Sequence, residues 1–259
     1  MRLDDDARVA RLRSGAVFSP VLGADIEYLE YRRGSPDRTL LLLHGRGASM
    51  DALHEAVAVL DPLGDAPTVV MPDAPWGSRA SWYVDSAYTG ARVETALIQD
   101  FLPTLERISG VTDRQRRIVG GYSMGGAGAL RLALAYPYRF GAALVLSPAA
   151  YPALPPADSN TRRFGAFGRG GRLFDDDVYR ELNYPALADH RDPTLPQRFY
   201  LAAGQAEGTD AAVAIRDALT RNRVPVRLEV FAGDHDWDTW RPALAAGLTW
   251  LSAPDRGLS

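Results

Sequence analysis

The sequence predicts an α/β fold with a mostly parallel central sheet and helices on both of its faces. Three observations carry that prediction. Short, fully apolar runs at Thr39–Leu43, Thr68–Met71 and Ala142–Leu146 have the character of strands covered on both sides, as a parallel sheet requires. Segments of helical period lie between such runs. At residues 118–135 an apolar strand, a glycine-rich turn and an Ala/Leu helix follow one another without a break. The turn there reads Gly121-Tyr122-Ser123-Met124-Gly125, a G-x-S-x-G pattern.

The elements follow in order. Residues 16–32 form an antiparallel hairpin turning through Pro20 and Gly23, and the alternation in Ile26–Tyr31 suits a half-buried edge strand. Thr39–Leu43 is a central strand feeding His44-Gly45-Arg46-Gly47, with a helix over Asp51–Leu60. Thr68–Met71 is the next strand, and the loop beyond it carries Trp76, Trp82 and Tyr83. That loop leaves a strand's C-terminal end, where α/β sheets place their sites, so the three aromatics are expected to wall a substrate pocket or to cover a loop core. Gly90–Ser109 is a long amphipathic helix, kinked at Pro103. After the strand Ala142–Leu146, residues 148–196 become rich in Pro, Arg, Gly and Asp with aromatics of no clear period. So long an irregular insertion reads as a cap or lid over the Ser123 pocket. Its Phe164–Gly171 stretch lacks both the Lys-Ser/Thr and the preceding strand of a phosphate cradle. Strands at Arg198–Ala203 and Val226–Phe231, a helix over Ala211–Asn222 capped by Thr209 or Asp210, and a closing helix over Arg241–Leu251 complete the domain.

Composition bounds the function. The chain has 259 residues, enough for one sizeable domain. It is 46% hydrophobic and 24% charged, with a net charge of −3, a balance that implies neither a nucleic-acid partner nor a membrane surface. All of its basic residues are Arg. With no Cys, disulfides, thiolate metal sites and cysteine nucleophiles drop out together. The first residues have no apolar stretch of the signal-peptide kind, and no segment approaches the length of a membrane span, so a cytoplasmic location is expected.

The chemistry centres on Ser123. A Ser hydroxyl is a poor nucleophile until a base lies within hydrogen-bond reach and an acid orients that base. The four histidines are His44, His54, His190 and His235. In a strand–G-x-S-x-G–helix arrangement the chain order is Ser, acid, His. His235 leaves the last strand on a short Gly-Asp loop at the same sheet end as Ser123, whereas His190 lies in the insertion. The acid is expected beyond Ala203, where Glu207 is the first choice and Asp210 the alternative. Two oxyanion donors are needed. They are expected to be the backbone N–H groups of Met124 and Arg46, with Gly47 next, and His44 is expected to orient that loop. Trp82, Tyr122 and Trp237 are the expected substrate-binding side chains. Asp234, Asp236 and Asp238 resemble the opening of a calcium loop, but Thr239 and Ala245 stand where Gly and Glu are required, so Asp234 and Asp236 read as a charged surface loop. No His pair has metal-ligand spacing.

Gly121–Gly126 followed by Ala129–Ala133 and Pro137 resembles the putative-esterase family of α/β-hydrolases, which includes the esterase D type, the enterochelin-esterase type and the mycolyltransferases. Gly233–Trp240 is similar to that family's catalytic-histidine segment, and Ser19–Gly23 and Ser81–Tyr83 are similar too. Leu43–Ala48 and Pro72–Pro75 look more like the phospholipase/carboxylesterase group of the same superfamily. The resemblance implies an α/β-hydrolase fold and cofactor-free hydrolysis of a small-molecule ester or thioester by a Ser–acid–His triad. It makes Ser123 the nucleophile and His235 the base. The family commonly carries Asp at the acid position, where this chain has Glu207. An acyltransferase with the same triad, or a silent hydrolase-fold binding protein, would share these features.

Overall fold

The computed structural model describes residues 12–33, 37–73 and 79–253. Among them, eight strands form one sheet: β1 (Leu12–Ser19), β2 (Ala24–Tyr31), β3 (Thr39–Leu43), β4 (Thr68–Pro72), β5 (Arg117–Tyr122), β6 (Ala142–Leu146), β7 (Arg198–Gly204) and β8 (Val226–Phe231). Their order across the sheet is β1-β2-β4-β3-β5-β6-β7-β8. The first two pairings are antiparallel, and the six strands from β4 to β8 run parallel. β2 is not an edge strand as its alternation suggested. It pairs β1 on one side and β4 on the other, and β1 takes the edge, with Phe18 62% exposed on it. Alternation reports one wet face and is silent about the number of hydrogen-bonded neighbours.

Seven helices of more than one turn accompany the described strands: α1 (Leu53–Leu60), α2 (93–109), α3 (Met124–Ala135), α4 (Asp176–Leu182), α5 (Tyr184–Asp189), α6 (Asp210–Arg221) and α7 (Trp237–Ser252). Side-chain alternation along the strands divides the core. Leu41, Leu43, Val119 and Val145 point to the face covered by α2, α3 and α6, and Leu40, Leu42, Ile118 and Leu144 to the face covered by α1 and α7. The Pro103 irregularity takes a specific form. A wide π turn at Leu97–Phe101 separates Val93–Ala96 from Leu102–Ser109, which places Pro103 in a first helical turn where its missing N–H is not needed. α7 begins four residues earlier than expected. Asp236 is its N-cap rather than part of a surface loop, and its carboxylate accepts from the Asp238 and Thr239 N–H groups.

The parallel strands send their C-terminal ends to one side of the sheet. Register pairs Leu43 with Gly121, Tyr122 with Leu146, Leu146 with Ala202 and Gly204 with Phe231. The loops that follow β3, β5, β6, β7 and β8 therefore meet there.

Candidate active site

Ser123 stands between β5 and α3 at φ 58°, ψ −120°, a conformation that L residues rarely adopt. The glycines around it make the turn possible by close backbone approach. A Cβ on Gly121 would lie 2.3 Å from the Gly125 carbonyl oxygen, one on Gly125 2.0 Å from the Leu43 oxygen, and one on Gly126 2.7 Å from the Leu146 oxygen. The Ser123 N–H donates to the Leu146 carbonyl at 2.9 Å, which ties the turn to the neighbouring strand. The side chain is thereby held at the end of the sheet.

The partners arrive from two other loops. His235 Nε2 lies 2.8 Å from Ser123 Oγ. His235 Nδ1 is hydrogen-bonded to Glu207 Oε2. Since the carboxylate only accepts, Nδ1 carries the proton and Nε2 faces the Ser123 hydroxyl as acceptor. Of the two acid candidates, Glu207 makes this contact, while Asp210 is the exposed first residue of α6. Burial pushes the Glu207 carboxyl upward, but hydrogen bonds from His235, Ser147 and the Gly204 N–H outweigh it and hold the group below its ordinary value. Ser147 and Trp240 escaped the sequence reading. Ser147 Oγ donates to Glu207 Oε1, and Trp240 Nε1 donates to Ser147 Oγ at 2.9 Å. The available signals were a Ser just past the C-terminal end of a central strand and a Trp in the first turn of the helix that follows His235.

The loop after β3 lies against Ser123. A Cβ on Gly45 would sit 2.8 Å from the Tyr122 ring and 3.5 Å from Ser123 Cβ. His44 is fully buried and donates Nδ1–H to the Gly45 carbonyl at 2.8 Å, and burial pushes its imidazole below its ordinary value. Gly47 N–H donates to Arg79 O at 3.0 Å and Ala48 N–H to Gly45 O at 3.2 Å, which leaves the Arg46 N–H without an acceptor among the described residues. Met124 is the first residue of α3, so its N–H also has no acceptor in a preceding turn.

A cavity of about 790 Å³ opens over Ser123 and His235. Trp82, Tyr122 and Trp237 all line it, and so do eight residues between Pro148 and Thr161 at the start of the long insertion. The Tyr122 ring packs 4.9 Å from Trp237 and 4.5 Å from Trp240, and burial pushes its phenol up to about 12. Of the two roles open to it, Tyr83 takes the second and covers a loop core rather than the pocket. It is fully buried, its hydroxyl donates to the His44 carbonyl at 3.0 Å, and its ring fills the space beside Gly128, where a Cβ would come within 2.6 Å. Trp76 lies outside the described residues. Among those residues no group of three or more His, Asp or Glu side chains gathers as a metal site would. No described helix is long and apolar enough to cross a membrane.

Sheet order, turn and loop arrangement define the α/β-hydrolase fold. A solved ferulic acid esterase superposes with a TM-score of 0.74 at 23% identity, over 93% of this chain and 97% of that one. A fluorophosphonate-binding serine hydrolase of Staphylococcus aureus gives 0.71 at 21% identity, over 94% and 98%. Residues 30–251 match the family described as "Putative esterase", and the chain belongs to that family. An acetyl esterase of Caldicellulosiruptor saccharolyticus is 27% identical over 234 residues, 83% of each protein. A dihydrolipoyllysine-residue acetyltransferase component of the acetoin cleaving system of Cupriavidus necator is 29% identical over 147 residues, 57% of this chain. This match spans 36% of that relative's length.

Proposed function

We propose that the protein hydrolyses a carboxylic ester or thioester through an acyl-enzyme on Ser123. The observation that carries this reading is the unbroken hydrogen-bond chain Ser123–His235–Glu207. His235 takes the hydroxyl proton at Nε2 as Ser123 Oγ attacks the carbonyl carbon. Glu207 keeps the proton on Nδ1 and stabilises the imidazolium. The Met124 and Arg46 N–H groups receive the oxyanion of the tetrahedral intermediate, helped by the positive end of α3. His235 then returns the proton to the leaving group. In the second half of the cycle it activates water, which releases the acid and restores Ser123. Trp82, Tyr122 and Trp237 hold the substrate, and residues 148–196 act as a cap over it.

The test is hydrolysis of p-nitrophenyl acetate, butyrate and octanoate by the wild type and by Ser123→Ala. Turnover by the wild type and a loss of at least about 10⁴-fold in the variant are expected. Comparable rates for the two proteins would overturn the assignment. The preference among chain lengths sizes the acyl side of the cavity.

A further inference from the structure

We propose that Ser147, oriented by Trp240, is a positioning residue that locks the Glu207 carboxylate against His235. This inference rests on the triad reading above. It starts from donor and acceptor inventories. An indole nitrogen only donates, so in the 2.9 Å contact with Trp240 Nε1 the Ser147 oxygen must accept. A carboxylate only accepts, so the single Ser147 proton goes to Glu207 Oε1. The hydroxyl therefore has one orientation. With the Gly204 N–H also donating to Oε1, one carboxylate oxygen is held by two donors and the other is left to His235 Nδ1.

The surroundings match such a role. Ser147 directly follows β6 at φ 42°, a left-handed conformation costly for a non-glycine residue, and is 5% exposed. Its N–H is fixed to Ala202 O at 2.8 Å. Trp240 is 7% exposed, and its ring meets the His235 imidazole edge to face at 5.1 Å. One indole thus touches the base directly and the acid through Ser147. A glutamate has one more rotatable bond than the aspartate usual in the family, and two donors on Oε1 remove that freedom. His235 is the titratable group that faces Glu207. Asp234 beside it accepts from the His235 N–H at 2.8 Å.

The experiment compares kcat, KM and pH profiles of the wild type, Ser147→Ala, Ser147→Gly, Ser147→Cys and Trp240→Phe, with Ser123→Ala as control. Glycine tolerates the positive φ, so Ser147→Gly removes the hydroxyl without backbone conflict. For Ser147→Ala and Ser147→Gly we expect kcat to fall roughly 10- to 100-fold at a KM within about twofold of wild type. The acid limb of kcat/KM should move to higher pH, because a carboxylate with fewer donors holds the proton of the Glu207–His235 pair more tightly. Ser147→Cys, a weak donor of similar size, should restore part of kcat, and Trp240→Phe, which leaves the Ser147 hydroxyl in place, should lose less than Ser147→Gly. A Ser147→Gly enzyme with wild-type kcat and pH profile, beside an inactive Ser123→Ala, would overturn this inference alone. An active Ser123→Ala would instead overturn the triad on which it rests.

Discussion

The turn at Ser123 and the loop at Glu207 reach the same hydrogen-bond chain by opposite means. The turn is held by backbone against backbone: Gly121, Gly125 and Gly126 lie where any Cβ would come within 2.0–2.7 Å of a carbonyl oxygen. The Glu207 loop has no such contact at Gly208, around which a Cβ would meet nothing within 4 Å. Backbone bonds from Gln205 and Ala206 to Phe231 and Gly233 anchor the start of that loop, but the Glu207 carboxylate is held by side-chain hydrogen bonds from Ser147 and His235 and by the Gly204 N–H. Steric constraint of the first kind is nearly all-or-none, because a packed core cannot yield by an ångström. Constraint by hydrogen bonds is graded, each bond contributing about 1–3 kcal/mol where a charge is involved.

That contrast is broken most sharply at Gly125. Gly125→Ala drives a methyl to 2.0 Å from the Leu43 oxygen at the end of a central strand. A destabilisation of about 3 kcal/mol or more is expected, read as a lowered urea midpoint or loss of soluble protein. A Gly125→Ala variant as stable as the wild type would show that the turn can yield. Glu207→Gln probes the other region. Its loss of stability at neutral pH should be smaller than that of Gly125→Ala, while kcat falls on the order of 10³-fold, since a neutral amide neither stabilises the imidazolium nor enforces the tautomer. Unfolding curves and p-nitrophenyl ester kinetics on one preparation separate the two effects.

The same variant sharpens the comparison through pH. The Glu207 carboxyl sits below its ordinary 4.5 in the folded protein, because three hydrogen bonds outweigh burial. A depressed carboxylate stabilises the fold fully above the unfolded value, and that stabilisation is lost as pH falls through the folded value. Between about pH 6 and about pH 3 the wild type should therefore lose more stability than Glu207→Gln. Parallel losses would place the Glu207 hydrogen bonds outside the stability of the fold. The smallest effect is expected at the cavity wall. Trp237→Ala removes an aromatic surface beside Tyr122 and should raise KM about tenfold with kcat changed far less. A fall in kcat as large as the rise in KM would mean that Trp237 supports the His235 loop rather than the substrate.

How far the sequence could be read follows the same division. β6 and β8 have the bounds expected from apolar runs and clean alternation, and the glycines of the turn stand where the sterics require them. These features arise from neighbours along the chain. The position of β2 inside the sheet was not legible, since it depends on β4 arriving beside it from some forty residues away. The sequence left Tyr83 open between a pocket wall and the cover of a loop core, because the deciding contact, from its hydroxyl to the His44 carbonyl, spans 39 residues.

The sequence by itself determined the α/β architecture and the strand–turn–helix that presents Ser123, and it singled out His235 as the proposed base by chain order and by its place on the loop after the last strand. Those rest on residue type, period and spacing, which are properties of a linear chain. Only the tertiary structure put Glu207 rather than Asp210 beside His235, and only it brought Ser147 and Trp240, 93 residues apart, into one hydrogen bond. The physical reason is that a hydrogen bond is set by distances of tenths of an ångström between side chains on different strands. Their meeting depends on sheet register and on the pitch of α7, and no local pattern in the sequence encodes either.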